Sequence, residues 1–176
     1  PIAMKNFISK PGTRDSGFTL LEVLIALLVL SIGLLGLAAL QTVGLRSNQM
    51  ATMRTTATQA AYDITDRMRA NPDGLTEASQ FYVIGTGDNA PLLLDCDANA
   101  CTSEQHAQFD LFQWRARIQN ALPDGLSSIT QTVDAGTGLV THTITVFWNE
   151  ERDPAATGTG CDPNDKTDLR CFQLTM

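Results

Sequence analysis

A single carboxylate, Glu22, lies four residues inside an apolar run of 23 residues, Phe18 to Leu40. An acidic side chain costs about 3 kcal/mol at the centre of a membrane helix and less toward its end. Anchoring alone gives no reason to place it there, so the residue marks a function that needs a partner. No cation follows within one helical turn, and the nearest basic residue, Arg14, lies eight positions back. The partner must come from another chain or from a newly made amino terminus. Four cysteines form the second group: Cys96, Cys101, Cys161 and Cys171. An even count far beyond an apolar run favours disulfides in an oxidising compartment. Three pairings exist on paper, and local pairing, Cys96 with Cys101 and Cys161 with Cys171, is expected. Each short loop would contribute roughly 2–3 kcal/mol through chain entropy. The spacings lack Cys-x-x-Cys, which argues against zinc.

A third group is acidic. Asp162, Asn164, Asp165 and Asp168 crowd the segment between the last two cysteines, and Asp95 and Asp97 flank Cys96. Such oxygen ligands suit calcium. The register is not that of an EF-hand and Lys166 sits among the acids, so a solvated acidic loop without a metal is expected. The two histidines, His106 and His142, have no motif around them, and His142 is expected as a surface or half-buried residue of a Thr-rich strand. There is no Gly-x-Ser-x-Gly, phosphate loop, dinucleotide glycine motif or His-Glu-x-x-His. No catalytic residue, cofactor or metal is assigned.

These groups need elements to hold them. At 1.5 Å per residue the apolar run makes about 35 Å of helix, enough to cross a hydrocarbon core of about 30 Å. Met53, Ala57, Ala61, Ile64 and Met68 then recur at steps of three and four, one apolar stripe on a helix. Phe18 to Arg69 thus reads as one long helix, broken at Asn71-Pro72-Asp73-Gly74. Phe81–Ile84 and Leu92–Leu94 read as two short strands among turn residues. Phe109 to Leu122 reads as a second helix stopped by Pro123-Asp124-Gly125. Leu126–Val133 and Leu139–Trp148 alternate as a hairpin around Asp134–Gly138, and Phe172, Leu174 and Met176 alternate as a final strand. The expected fold class is α+β: a long N-terminal helix packed on a small antiparallel-sheet head with a second helix. The expected division is 1–17 leader, 18–40 transmembrane and assembly helix, 41–71 amphipathic continuation, and 72–176 globular head.

Charge gives the orientation. The whole chain of 176 residues carries a formal −7, which excludes a nucleic-acid role based on a basic face. Residues 1–17 run the other way, with Lys5, Lys10 and Arg14 against Asp15. A basic start, an apolar span and an acidic remainder predict a membrane-anchored chain that passes once, N-in, with the cysteines on the oxidising side. A cleaved secretory signal would have a shorter apolar core, and a plain signal anchor leaves Glu22 unexplained.

The stretch Arg14-Asp-Ser-Gly17-Phe18-Thr-Leu-Leu-Glu22-Val resembles the leader junction of type IV prepilins. The resemblance implies cleavage between Gly17 and Phe18 by a prepilin peptidase, N-methylation of Phe18, and Glu22 as the assembly acid that pairs with the new amine. The pattern over Phe109–Trp148, with FxWRxRIxxxLPxG from Phe112 to Gly125, resembles the PilV group of minor pilins. The implied role is a minor pilin that primes pilus assembly and sits near the filament tip. Its partners would be other minor and major pilins, the peptidase/methyltransferase and a tip adhesin. The Cys161–Cys171 loop is similar to the C-terminal disulfide loop of pilins. Type II secretion pseudopilins share the N-terminal motif and give the alternative reading. A signal-anchored periplasmic binding module or enzyme is the alternative of another class.

Overall fold

The structure is a computed structural model, and it describes residues 17–89 and 95–176. Six elements follow in order: α1 (Leu20–Ala70), a short 3₁₀ turn (Pro72–Leu75), α2 (Ser103–Ala121), β1 (Leu126–Val133), β2 (Val140–Trp148) and β3 (Arg170–Thr175). The arrangement is α+β and type IV pilin-like. The chain divides into two compact units at Leu45/Arg46.

In the first unit, α1 is long and apolar enough to cross a membrane, and its most apolar window buries nothing. Seventeen large apolar side chains between Phe18 and Leu45 are exposed. Removing one such side chain from water is worth about 1.5–3 kcal/mol, so together they represent tens of kcal/mol that only lipid or neighbouring chains can supply.

In the second unit the same helix changes character. Met53, Ala57, Ala61, Ile64 and Met68 are all buried, with Ala60 and Thr65 beside them. The stripe packs on α2 and on one face of a three-stranded antiparallel sheet of order β1-β2-β3. Ile144, Val146 and Trp148 supply that face from the central strand, as period-two alternation requires. The opposite face carries a smaller apolar cluster of Phe147, Ala156 and Leu169. Small residues on α1 let α2 approach: the Trp114 indole donates its N–H to the Ala60 carbonyl at 2.8 Å, beside the fully buried Ala57 and Ala61. Gly125 is required for the following turn, because a Cβ there would stand 2.6 Å from the Ile118 carbonyl oxygen.

Several boundaries differ from the sequence reading. α2 begins at Ser103, six residues before Phe109, because Thr102 and Gln105 form a reciprocal capping box. The expected strand Phe81–Ile84 reduces to one antiparallel bridge between Ile84 and Ile129. Gln80 has φ 46°, and the next residues turn so that Tyr82 is fully buried. The Leu92–Leu94 expectation lies outside the described residues. Leu139 remains exposed ahead of β2, and β3 starts two residues earlier than expected, at Arg170.

Truncation of Trp114 to Ala removes both the indole packing and its hydrogen bond to α1. The expected loss is about 3–5 kcal/mol, read as a lower urea midpoint of the full chain in detergent. An unchanged midpoint would mean that α2 does not fasten the second half of α1.

Candidate functional site

The N-terminal groups come first along the chain. Gly17, Phe18 and Thr19 precede the helix and are exposed, Phe18 at 83%. The first turn of α1 is capped by Thr19, whose hydroxyl and carbonyl oxygens accept from the Glu22 N–H at 3.2 and 3.0 Å. Thr19 and Glu22 therefore stand at the first and last positions of a capping-box spacing. Half of the box is made. The Glu22 carboxylate is exposed in the first turn and has no hydrogen-bond or ion-pair partner among the described residues. A space-filling Cβ at Gly17 would meet nothing within 4 Å. The leader residues 1–16 lie outside the described part.

The four cysteines form two disulfides, Cys96–Cys101 and Cys161–Cys171, each with Cα atoms 5.6 Å apart. The acids around them serve their own backbone. Asp162 accepts from the Asn164 N–H at 2.8 Å, and Asp165 from the Thr167 N–H and hydroxyl at 2.8 and 2.7 Å. Asp168 reaches across the loop to the Asp162 N–H at 3.0 Å. Asp95 does the same for Asp97 and Ala98. These are turn-forming bonds, and the Thr167 hydroxyl and N–H hold the Asp165 carboxyl below its ordinary range. Among the described residues no three His, Cys, Asp or Glu side chains gather as metal ligands.

The sequence pattern carried no sign of three polar junctions in the head. At the first, Asp110 accepts from Arg67 at 3.0 Å and from the Tyr82 hydroxyl at 2.8 Å, while Asn71 donates to the same hydroxyl at 3.2 Å. Burial raises the Tyr82 pKa, and the nearby Asp110 adds to the shift. Burial alone would lower the Arg67 guanidinium, but Asp110 and Asp63 outweigh it and its pKa is raised. At the second, Arg115 is buried and donates to the carbonyls of Gly85, Asp88 and Ser127, tying α2 to the chain before β1. Burial lowers its pKa, opposed by Asp88. At the third, the Glu150 side chain is 5% exposed and takes Arg54 at 3.1 Å and Arg170 at 3.5 Å, joining α1 to β3. Only long-range pairing distinguishes these residues from ordinary surface charges, and a single sequence does not display it. The motif residues Trp114, Arg115, Ile118, Leu122 and Gly125 thus serve packing, and none lines a reactive cluster.

His142 corrects the sequence reading. It is 3% exposed, on the core-facing side of β2 with Ile144 and Val146. Counting by twos from Ile144 would have placed it there. His106 is exposed on α2.

Residues 12–38 match the prokaryotic N-terminal methylation motif, and residues 39–112 match the type IV pilin Tt1218 family. The two matches abut at the point where the leader-bearing apolar segment gives way to the rest of α1. This chain is a type IV pilin-like protein. No curated protein and no solved structure matches it. The family is a structural one, and a leader of this kind implies a prepilin peptidase and other pilins as partners of the pilin-like chain. The leader and the apolar helix fit inner-membrane anchoring.

The buried His142 gives this pilin-like protein a pH-dependent stability. Burial depresses its pKa below the ordinary 6.5, and its Nε2 has no hydrogen-bond partner among the described residues. The unfolded chain therefore binds the proton more readily than the folded one. The stabilising difference is fully present above pH 6.5 and declines as pH falls below it, with a slope approaching about 1.4 kcal/mol per pH unit at most. Urea midpoints between pH 7.5 and 5.5 should fall more steeply for the native chain than for His142→Gln. Parallel curves would mean that His142 is solvated.

Proposed function

We propose that this chain is a minor pilin that primes type IV pilus assembly and enters the filament near its tip. It presents its head to other minor pilins or to an adhesin, and it acts by assembly without catalysing a reaction. Before assembly it crosses the inner membrane once, N-terminus inside, with the head in the periplasm. The observation that carries the assembly reading is the pair Phe18 and Glu22. Phe18 is non-helical and exposed just after Gly17, as a peptidase needs, and Glu22 presents an unpartnered carboxylate one turn into a fully exposed apolar helix.

The energetics favour this use. Cleavage after Gly17 frees a cationic amine on Phe18, methylated or not. On the insertion scale an acid costs about 3 kcal/mol at the centre of a membrane helix and less toward its end, small beside the tens of kcal/mol gained by removing the apolar segment from water. Insertion therefore tolerates Glu22. Docking in a low-dielectric bundle rewards it only when an amine pairs with it, which fixes axial register between subunits. The minor role rests on the Phe109–Trp148 pattern, which resembles the PilV group. The head's two disulfide loops suit a specialised subunit.

Separate measurements test the chemistry and the role. Intact mass of the native chain should begin at a methylated Phe18, and Gly17→Val should leave an uncut membrane-resident precursor. Glu22→Leu should insert as well as the native chain but lose incorporation beside other pilins. Normal incorporation of that variant would sink the pairing. Proteomics of sheared filaments should find this chain at low abundance, and its deletion should reduce surface pili while the cellular pool of the major pilin persists. If it proved the most abundant filament protein, the minor assignment would fail.

A further inference from the structure

The sheet ends at β3, and the hydrogen-bond phase of that strand shows which backbone groups face outward. His142 and Met176 exchange both N–H···O bonds, at 2.9 and 3.0 Å. In the register that sets Ile144 opposite Leu174 and Val146 opposite Phe172, even-numbered residues of β3 therefore bond to β2. Odd-numbered residues aim N–H and C=O away from it. Leu169 agrees with this phase, because its N–H bonds outward to the Gly158 carbonyl at 2.8 Å. Beyond it, the backbone groups of Cys171, Gln173 and Thr175 meet no partner among the described residues.

Natural edges are normally blunted by proline, lysine, a bulge or a covering segment. β1 is covered at its middle by the Ile84–Ile129 bridge. β3 carries no proline, lysine or bulge; the loop closed by Cys161–Cys171 lies against its first residues, where the Arg170 guanidinium donates to the Pro163 carbonyl at 2.8 Å, and leaves Gln173 and Thr175 open, with Arg170 the one charged residue of the strand. Apolar ground lies along the same edge. Phe172, Leu174 and Met176 are only partly buried although they pack on the core. An open cleft of about 460 Å³ adjoins Phe172, bordered also by Arg54, Thr58, Trp148, Pro163, Arg170 and Cys171. The lining of the cleft holds two guanidinium groups, Arg54 and Arg170, and no carboxylate; both reach Glu150 beside it, and Arg170 also donates to the Pro163 carbonyl. The Trp148 indole N–H, buried at its border, has no acceptor among the described residues.

We propose that β3 is an acceptor edge, on which an extended segment of another pilin-type subunit adds as a fourth strand. The segment pairs with Cys171, Gln173 and Thr175, lays alternate apolar side chains on Phe172 and Leu174, and sets a carboxylate against Arg170 and Arg54. A second copy of β3 is not the match, since Arg170–Thr175 contains no acid. That the donor is a pilin-type subunit rests on the function proposed above; the open edge and its charge do not.

Gln173→Pro deletes an outward N–H that nothing in the chain uses, so the sheet tolerates it, whereas Gln173→Ala keeps that N–H. The full chain is extracted in detergent from cells that hold its partners, and co-purifying pilin-type subunits are quantified by mass spectrometry. Gln173→Pro should lower their recovery about tenfold, the effect of roughly one lost hydrogen bond with its displaced neighbours, and Gln173→Ala should not. Equal recovery with Gln173→Pro overturns the proposal. Should proline unfold the head, a benzophenone side chain at position 173 serves instead. It should form a light-induced adduct with a pilin-type subunit, while the same probe at Thr130 on β1 should not. Adducts at both positions, or at neither, overturn the acceptor edge. A native chain left uncut at Gly17 would instead overturn the pilin reading, so the two failures are distinguishable.

Discussion

The head hangs on one close approach, the seat of Trp114 against the small-residue stretch of α1. Ala57, Ala60 and Ala61 leave room for a bulky ring, and the Ala60 carbonyl accepts the indole N–H at 2.8 Å. A larger residue at any of these positions would push α2 outward and open the core that also holds Ile118, Ile129 and Ile144. Overpacking of that kind typically costs about 1–3 kcal/mol. The contact also fixes the depth of the sheet, because α2 lies next to β1 in sequence and Gly125 permits the turn between them only without a side chain. The small residues of the stripe thus set how near the Trp114 ring comes to α1.

Around this seat, charged groups lock elements where apolar area alone would let them slide. Asp110 holds Arg67 at the end of α1 and the Tyr82 hydroxyl, so one carboxylate sets the positions of two chain segments. Glu150 does the same for Arg54 and Arg170. Pairs of this type, with a partly exposed cation, add little net stability, but removing the cations would strand the buried carboxylate of Glu150. Their value here is specificity of arrangement. Arg115 differs: it answers carbonyls in place of an acid, which joins two backbone acceptors of an irregular segment, Gly85 and Asp88, to one of β1, Ser127, with one side chain.

The parts legible in the sequence were those with a strict period. The step of three and four from Met53 to Met68 gave the buried face of α1, and the alternation from Leu126 to Trp148 gave the hairpin. Helix-end signals are equally local. The Thr102–Gln105 box stood in the sequence and placed the start of α2 six residues before the first aromatic. The threonines around His142 read as a surface strand, whereas its parity joins it to Ile144 on the buried face. The segment Phe81–Ile84 had strand composition, yet one buried tyrosine with a hydroxyl to satisfy outweighed that propensity. The polar junctions were illegible for a different reason. Arg54 and Glu150 are 96 positions apart, and nothing local in either marks the pairing.

The acidic loop shows how residue type alone misleads about chemistry. Asp162, Asp165 and Asp168 are spaced densely enough to read as oxygen ligands, yet each carboxylate is turned to a backbone N–H within ten residues. A bound cation would have to compete with those bonds, and the backbone groups released would then need other partners. Glu22 stands at the opposite extreme. It is one carboxylate with no cluster around it, and its position in an apolar helix leaves it without any local bond to spend. Isolation, rather than density, is what makes an acid available to another chain.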